Sequence, residues 1–472
     1  MANLAQKTTA AQQQHPATTL EELAKEWGTT VEKSDFAVKM DEEDPLKTQR
    51  SKFCIPKMKD LPYTDLKLTE PDEDCIYLCG NSLGLKPCSA DAKVLDAMSS
   101  WGKLGVHSHF HGALPAALCD NYAVESTARL IGAQPSEVAL MNSLTVNLHF
   151  MLVTFYQPQG PGVGRHKIII EKDTFPSDRY AVMSHLELHG QNVNDALIIV
   201  GEKGDNYIPN QKIIDTIRKH GSETALVLLS TVHYYTGQLF DMEAITKAAH
   251  EEGCYIGWDL AHAVGNVALQ IHDCGPDFGV WCSYKYLNSG AGGVGGIFVH
   301  SRHLKGEGRK ALRGWWSNKP ETRFKMSFKL EPASGASSFK VSNPSPWHTA
   351  LNLASLEIFE EATMPKILEK QRLLTGYTEL LLQKHLASVN ALIITPKDPN
   401  ERGCQLSIRF PPGKLDPVAR ELDALGVVFD IRHPDVLRIA PAPLYNSYQD
   451  VWRFVRAFST AISRCPKTIL SW

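Results

Sequence analysis

Two textures of hydrophobic and polar positions divide this chain. Through its middle, short apolar runs at 167–171, 196–201, 225–232, 254–260, 280–284 and 296–300 have few polar interruptions and read as strands. Between them, 177–189, 210–220 and 241–252 place apolar residues at helical spacing. Runs that are apolar throughout suit strands covered on both faces. Their alternation with helices predicts an α/β fold, a mostly parallel sheet with helices on both faces. After 348 the texture changes. Long helical stretches at 351–361 and 365–386 precede strand-like runs at 404–410, 426–432 and 436–440, which predicts a smaller C-terminal α+β domain. Near the start, Thr19-Leu20-Glu21-Glu22 fits a capping box, with Leu20, Leu23 and Trp27 at helical spacing and a stop at Gly28. The charged, proline-containing stretch 41–63 reads as an arm. The expected division is a disordered tail at 1–17, a helix and arm at 18–70, a large ligand-binding domain at 71–345 and a small domain at 346–472.

Composition narrows the function classes. The 49 basic and 52 acidic residues leave a net charge of −3, without the basic excess of a nucleic-acid binder, so no nucleic-acid partner is expected. No apolar run approaches the roughly 18 residues of a membrane span. Ten cysteines form no C-x-x-C pair and are too sparse for a disulfide framework, so they read as reduced core residues. No metal site is expected. Residues 1–16 lack a charged segment followed by an apolar one, and they hold one lysine and no arginine. The expectation is a cytoplasmic enzyme.

In a parallel sheet ligands gather where strands end and helices begin, and the chemistry-bearing residues cluster after the apolar runs. Gly290-Ala-Gly292-Gly-Val-Gly295 matches a dinucleotide pattern but leads into a strand-like segment, so it reads as a tight turn where chain passes close to chain or ligand. Upstream stands Ser283-Tyr284-Lys285-Tyr286-Leu287-Asn288. A lone lysine at a strand end is more often a surface charge than a catalyst. Asp259, at the end of another apolar run, changes that balance, because a buried acid needs a partner. A pyridine nitrogen would be one, and Lys285 could hold the same ring as an imine, the pair that pyridoxal phosphate chemistry requires. Met141-Asn-Ser-Leu-Thr-Val-Asn147 offers hydroxyl and backbone donors ahead of an apolar segment, suited to a phosphate or simply to a helix cap. His262 could face the same way as Asp259, although a histidine there is more often a structural hydrogen bonder.

Further strings stand in order along the chain: Leu78-Cys-Gly-Asn-Ser-Leu-Gly84, Met141-Asn-Ser-Leu-Thr-Val-Asn-Leu-His149, Phe175-Pro-Ser-Asp178 and Tyr235-Thr-Gly-Gln238. They continue with Asp259-Leu-Ala-His-Ala-Val-Gly-Asn266, Cys282-Ser-Tyr-Lys-Tyr-Leu-Asn288, Gly314-Trp315, Ser342-Asn343-Pro344, Glu401-Arg-Gly-Cys-Gln405 and Arg438-Ile-Ala-Pro-Ala-Pro-Leu-Tyr-Asn446. Taken together, they resemble the kynureninase family of fold-type-I pyridoxal phosphate enzymes, within the class V aminotransferase-like superfamily. The resemblance implies that Lys285 holds the cofactor aldehyde and Asp259 its ring nitrogen. It implies that Phe175 stacks on the ring, with Pro176, Ser177 and Asp178 completing that loop. Leu144, Thr145 and Tyr284 fall on the phosphate side, and Ser230 and His262 on other cofactor contacts. Trp315 and Asn343 would come from the neighbouring subunit of a homodimer with shared sites. Arg438 would clamp the substrate carboxylate, and His109, Ser342 and Asn343 would face its aromatic ring.

The activity implied is hydrolysis of L-kynurenine or L-3-hydroxykynurenine to L-alanine plus anthranilate or 3-hydroxyanthranilate, in tryptophan degradation and the route to NAD. Tyr235 and Tyr284 are candidates for proton relay, and a packing role for Tyr235 stands beside that one. Trp316-Ser317-Asn318 and Gly112-Ala-Leu-Pro-Ala-Ala117 depart from the family pattern beside the substrate ring and leave its preferred substituent open. The rivals are a class V aminotransferase, a desulfurase or an inactive scaffold. A desulfurase needs an exposed, mobile cysteine, whereas Cys404 lies in an apolar run.

Overall fold

A computed structural model describes residues 14–202, 204–304 and 310–465. The chain forms two compact units, one of Met1–Cys88, Tyr235–Leu239 and Ile358–Trp472, the other of Ser89–Tyr234 and Phe240–Glu357. Strands in chain order are β1 (Ile76–Tyr77), β2 (Val138–Leu140), β3 (Lys167–Glu171), β4 (Leu197–Val200), β5 (Thr224–Ser230), β6 (Tyr255–Asp259) and β7 (Phe278–Trp281). There follow β8 (Gly296–Val299), β9 (Leu392–Ile393), β10 (Leu406–Arg409), β11 (Val427–Val428), β12 (Asp430–Arg432) and β13 (Val436–Ile439).

The second unit is built on a seven-stranded sheet of order β2-β8-β7-β6-β5-β3-β4. Pairs from β7 through β4 are parallel, and β8 runs antiparallel to both β7 and β2. The mostly parallel sheet is as expected. The apolar runs form strands because both faces are covered, with Leu148, Met151, Leu152 and Phe155 of helix Leu144–Phe155 packing in the same core as Ile168, Ile170, Leu226 and Phe278. Phe155 stacks on Phe278 with ring centroids 5.0 Å apart.

The strand expected at 280–284 ends at Trp281. Ser283 turns the chain out of the sheet, its hydroxyl donating to the carbonyl of Val294 at 2.6 Å and lying 2.5 Å from that of Ser289. The backbone of Ser289 returns to the Ser283 carbonyl at 3.1 Å, which closes a loop around Lys285. The glycine run is a turn, as expected. Gly290 and Gly292 have φ of +77° and +76°, and a Cβ on Gly295 would sit 2.8 Å from the Trp281 carbonyl.

The first unit joins both ends of the chain in one core. Leu20, Phe36 and Met40 pack with Leu374, Tyr377, Phe454 and Phe458 and with the small sheet β12-β13-β10-β9. The first described helix spans Pro16–Glu26, three residues ahead of the expected start. Pro16 pre-sets the first helical φ and His15 Nδ1 accepts the N–H of Ala17, so Thr19 lies inside the helix rather than capping it. Of the expected tail, 1–13 lies outside the described residues. The stretch expected as an arm begins within helix Ser34–Glu43 and continues as short turns.

Candidate active site

The carboxyl ends of β3, β5, β6 and β7 lie along one edge of the second unit, and each delivers a functional group there. Lys285, four residues beyond β7, places Nζ 2.9 Å from Nε2 of His262 and 5.8 Å from the ring centroid of Phe175. His262 is 5% exposed and reaches the lysine from the turn after β6. The histidine that sequence alone left between a site and a structural role therefore contacts the candidate catalytic amine. Phe175 caps helix Pro176–Leu188, stays partly open to solvent and meets Tyr234 edge-on at 5.2 Å.

Asp259 ends β6, buried, and accepts the Ala261 N–H at 2.8 Å. Its electrostatic neighbour is the carboxyl of Asp178, from the first turn of helix Pro176–Leu188. Burial raises Asp259 above the usual carboxylate range against the lowering pull of Lys285, and burial next to Asp259 raises Asp178 further. Two buried carboxyl groups that repel one another resist ionising together, so the pair favours keeping a proton.

Two helix N-termini meet beside this pair. Thr145, in the first turn of helix Leu144–Phe155, places its hydroxyl 2.8 Å from that of Ser177, in the first turn of helix Pro176–Leu188. Helix N-termini present unsatisfied N–H groups and positive potential, so their convergence favours a phosphate. Asn147 and the glycine run hold the approach, through Asn147 Nδ2 to the Met141 carbonyl at 2.8 Å and the Gly295 N–H to the Asn142 carbonyl at 2.7 Å.

These residues fit pyridoxal phosphate. The fit rests on Oδ1 of Asp178, buried and without a hydrogen-bond partner among the described residues, beside an acid that an incoming ring N–H would satisfy. Tyr284, whose phenol burial pushes up, remains a proton donor at neutral pH. Ser230 ends β5 opposite Asp259 and gives both its hydroxyl and its backbone N–H to Glu171 Oε1, at 2.6 and 3.2 Å. Sequence reasoning missed Glu171. The signal was an acid ending an otherwise apolar strand, the same signal that marked Asp259.

Other expected residues of this unit stand at its surface. Trp315 is 49% exposed, donates Nε1–H to the Arg323 carbonyl at 2.9 Å and meets Phe324 edge-on at 5.2 Å. Its neighbour Trp316 is the core tryptophan, 2% exposed. His109 is exposed beside Phe110, which packs on Phe324 at 5.0 Å, and Ser342 and Asn343 lie exposed ahead of helix Pro346–Ala362.

Tyr235 and Arg438 belong to the first unit. Tyr235 donates its phenol to Asp435 Oδ1 at 3.2 Å. Arg438, on β13 and 1% exposed, donates from Nε and Nη2 to Asp430 Oδ2 at 2.6 and 2.5 Å. Sequence reasoning named neither Asp435 nor Asp430.

A family model described as the kynureninase C-terminal domain matches residues 367–458. A kynureninase of Nematostella vectensis is 44% identical over 457 residues, 94% of this chain and 97% of that protein. The Homo sapiens kynureninase is 43% identical over 455 residues, covering 95% and 97%. The chain belongs to the kynureninase family. In fold it is similar to the Escherichia coli cysteine desulfurase CsdA, with a TM-score of 0.67 at 16% identity over 89% of this chain and 98% of that one. A C-DES mutant with glycine covalently linked to its PLP cofactor has a TM-score of 0.66 at 17% identity, covering 84% and 99%. Among the described residues no helix is long and apolar enough to cross a membrane.

Proposed function

We propose that this chain uses pyridoxal 5'-phosphate to hydrolyse L-kynurenine, L-3-hydroxykynurenine or both, yielding L-alanine with anthranilate or 3-hydroxyanthranilate. The observation that carries this reading is Lys285 on His262, beside the Asp178–Asp259 acid pair, in a chain 43–44% identical to kynureninases along nearly its whole length. The cofactor, when bound, supplies an electron sink that allows bonds at the substrate Cα and then between Cβ and Cγ to break. Lys285 would hold the aldehyde, and its amine is the group that would move the proton at the substrate Cα. Asp259 would keep a proton at the ring nitrogen, Phe175 would cover the ring, and Thr145, Ser177 and the backbone at Leu144 would hold the phosphate. Tyr284 and Tyr235 are the candidate donors at the substrate carbonyl. The Tyr235 phenol donates to Asp435 in this structure, a bond it would have to release to serve the carbonyl.

Arg438 is the clamp for the substrate carboxylate and His109, Ser342 and Asn343 face its ring. The active form is a cytoplasmic homodimer in which the partner covers the exposed aromatic strip of Phe110, Trp315, Phe324 and Phe328. Large exposed apolar patches mark such interfaces. The domain that binds the cofactor is the one expected at 71–345. Cys404, 0% exposed, does not suit a desulfurase nucleophile, and the retained Lys285 and Asp259 argue against an inactive scaffold. Incubation with each substrate and assay of alanine and the aromatic acid tests the reading, and comparison of the two kcat/KM values settles the preferred ring. Release of neither product would overturn it.

A further inference from the structure

Three buried carboxyl groups converge where two would serve. Asp178 and Asp259 are buried acids that repel one another, and Glu171, 1% exposed at the end of β3, stands on the far side of Ser230 from Asp259, because β5 lies between β3 and β6. Glu171 Oε1 takes both donors of Ser230, while Oε2 is buried without a hydrogen-bond partner among the described residues. The groups facing it are Ser230 from β5, Asp259 from β6 and Asp178 from the helix after β3. Lys285 faces the two aspartates. Among the described residues no cation pairs with Glu171. Seating an ionised carboxylate there costs desolvation that the two Ser230 donors offset only in part and that nearby positive charge would offset further.

We propose that Glu171 is a positioning residue of the cofactor site: it stands protonated behind Ser230 in the cofactor-free protein and gives up that proton when a protonated ring nitrogen is bound at Asp259. The proposal rests on the cofactor reading above. A positive charge at Asp259 relieves the repulsion between Asp259 and Glu171 and favours the ionised acid. Ionised Glu171 in turn strengthens the bond that the Ser230 hydroxyl already donates toward β3. Burial pushes Glu171 up to about 7, inside the working range of a neutral enzyme. By linkage, a group that loses its proton on binding makes affinity rise as pH rises through its free-state value.

Glu171→Gln keeps the shape of the neutral acid and removes the titration. The measurement is the Kd of pyridoxal 5'-phosphate for wild type and Glu171→Gln, by visible absorbance, from about pH 6 to about pH 8. Ionisation of the cofactor and of Lys285 is common to both proteins and cancels in the ratio. That ratio, mutant over wild type, is expected to start near one and reach about tenfold, an ordinary coupling between sites. A flat ratio would overturn the proposal. Should Glu171→Gln fail to fold, infrared difference spectra of the wild type near pH 7 serve instead. Addition of the cofactor should remove a protonated carboxyl band that moves on isotopic labelling of glutamate, and no glutamate-dependent change would overturn the idea. A wild-type protein that takes up no pyridoxal 5'-phosphate overturns the underlying reading and this proposal together, whereas uptake with a flat ratio removes this proposal alone.

Discussion

Asp277 and Asp259 are buried acids at opposite ends of one sheet, and they are treated in opposite ways. Asp277 precedes β7 at its amino end and is 2% exposed, yet it accepts from His250 at 3.1 Å, Arg302 at 2.8 Å, His303 at 2.6 Å and the Ile256 N–H at 2.7 Å. Burial alone would raise it, but those donors outweigh burial and hold it well below the usual carboxylate range. Asp259, at the carboxyl end of the adjacent strand, has one backbone donor and another carboxyl for company, and burial raises it. The amino end completes its polar groups from within and is structural. The carboxyl end leaves acids short of donors, and such a deficit is what a bound cation-bearing ring would fill. A second amino-end cluster follows the first rule. Glu137 takes His272 at 2.9 Å and the N–H groups of Ser301 and Gln134 at 2.7 and 3.0 Å, while His300 Nδ1 accepts the Arg302 N–H at 3.2 Å.

The largest effect expected is at the deficient end. Lys285→Ala should lower turnover by at least about a thousandfold and abolish the visible absorbance of the loaded protein, with folding intact. Near-normal activity and an unchanged spectrum would break the assignment of function to that end.

Exchanging the two aspartates sharpens the contrast. Asp259→Ala should fold and lose about a hundredfold or more in kcat, with Asp259→Glu retaining more activity than Asp259→Ala. Asp277→Ala should lose about 3 kcal/mol of stability by denaturant titration, because it strands Arg302 and two histidines, while the folded fraction keeps its kcat. Equal catalytic losses at both positions would erase the distinction.

The pH dependence of stability should also split by sign. Asp277 is depressed in the folded state, so its contribution is present above its unfolded value near 4 and is lost as pH falls below that. Glu171 is raised to about 7, so the folded state holds the extra proton and stability declines as pH climbs from about 4.5 through 7. In cofactor-free protein the unfolding free energy of wild type, by denaturant titration, should therefore fall more between about pH 5 and pH 8 than that of Glu171→Gln, by up to about 3 kcal/mol. Parallel curves would mean that Glu171 does not titrate there.

The smallest effect belongs to one donor among several. His250→Asn should cost under about 1 kcal/mol, since Arg302, His303 and a backbone N–H still serve Asp277 and His250 is partly exposed. A loss as large as that of Asp277→Ala would show that the donors act as one unit.

The residues alone determined a good deal of this protein. The runs ending at Glu171, Ser230 and Asp259 became parallel strands because continuous apolar segments have no stable place except between two covering layers. Lys285, Asp259 and the stretch around Thr145 drew notice because they follow apolar runs or open the next helix, where a parallel sheet presents ligands, whereas Phe175 was named only through the family resemblance and His262 through its spacing from Asp259. What tertiary structure decided was partnership across long sequence distances. Only the packed chain brings Thr145 to Ser177 and Ser230 to Glu171, 32 and 59 residues away. Only the packed chain commits Tyr235 to Asp435, 200 residues apart, whereas Arg438 meets Asp430 across the local β12–β13 pairing. Likewise, Leu20 and Phe36 read as an isolated N-terminal helix and arm, yet they share a core with Phe454 and Phe458. The physical reason is that burial, not residue type, sets the state of a carboxyl group. Periodicity can say that a strand ends in an acid, but whether that acid meets three donors or none depends on which distant segments the fold packs against it.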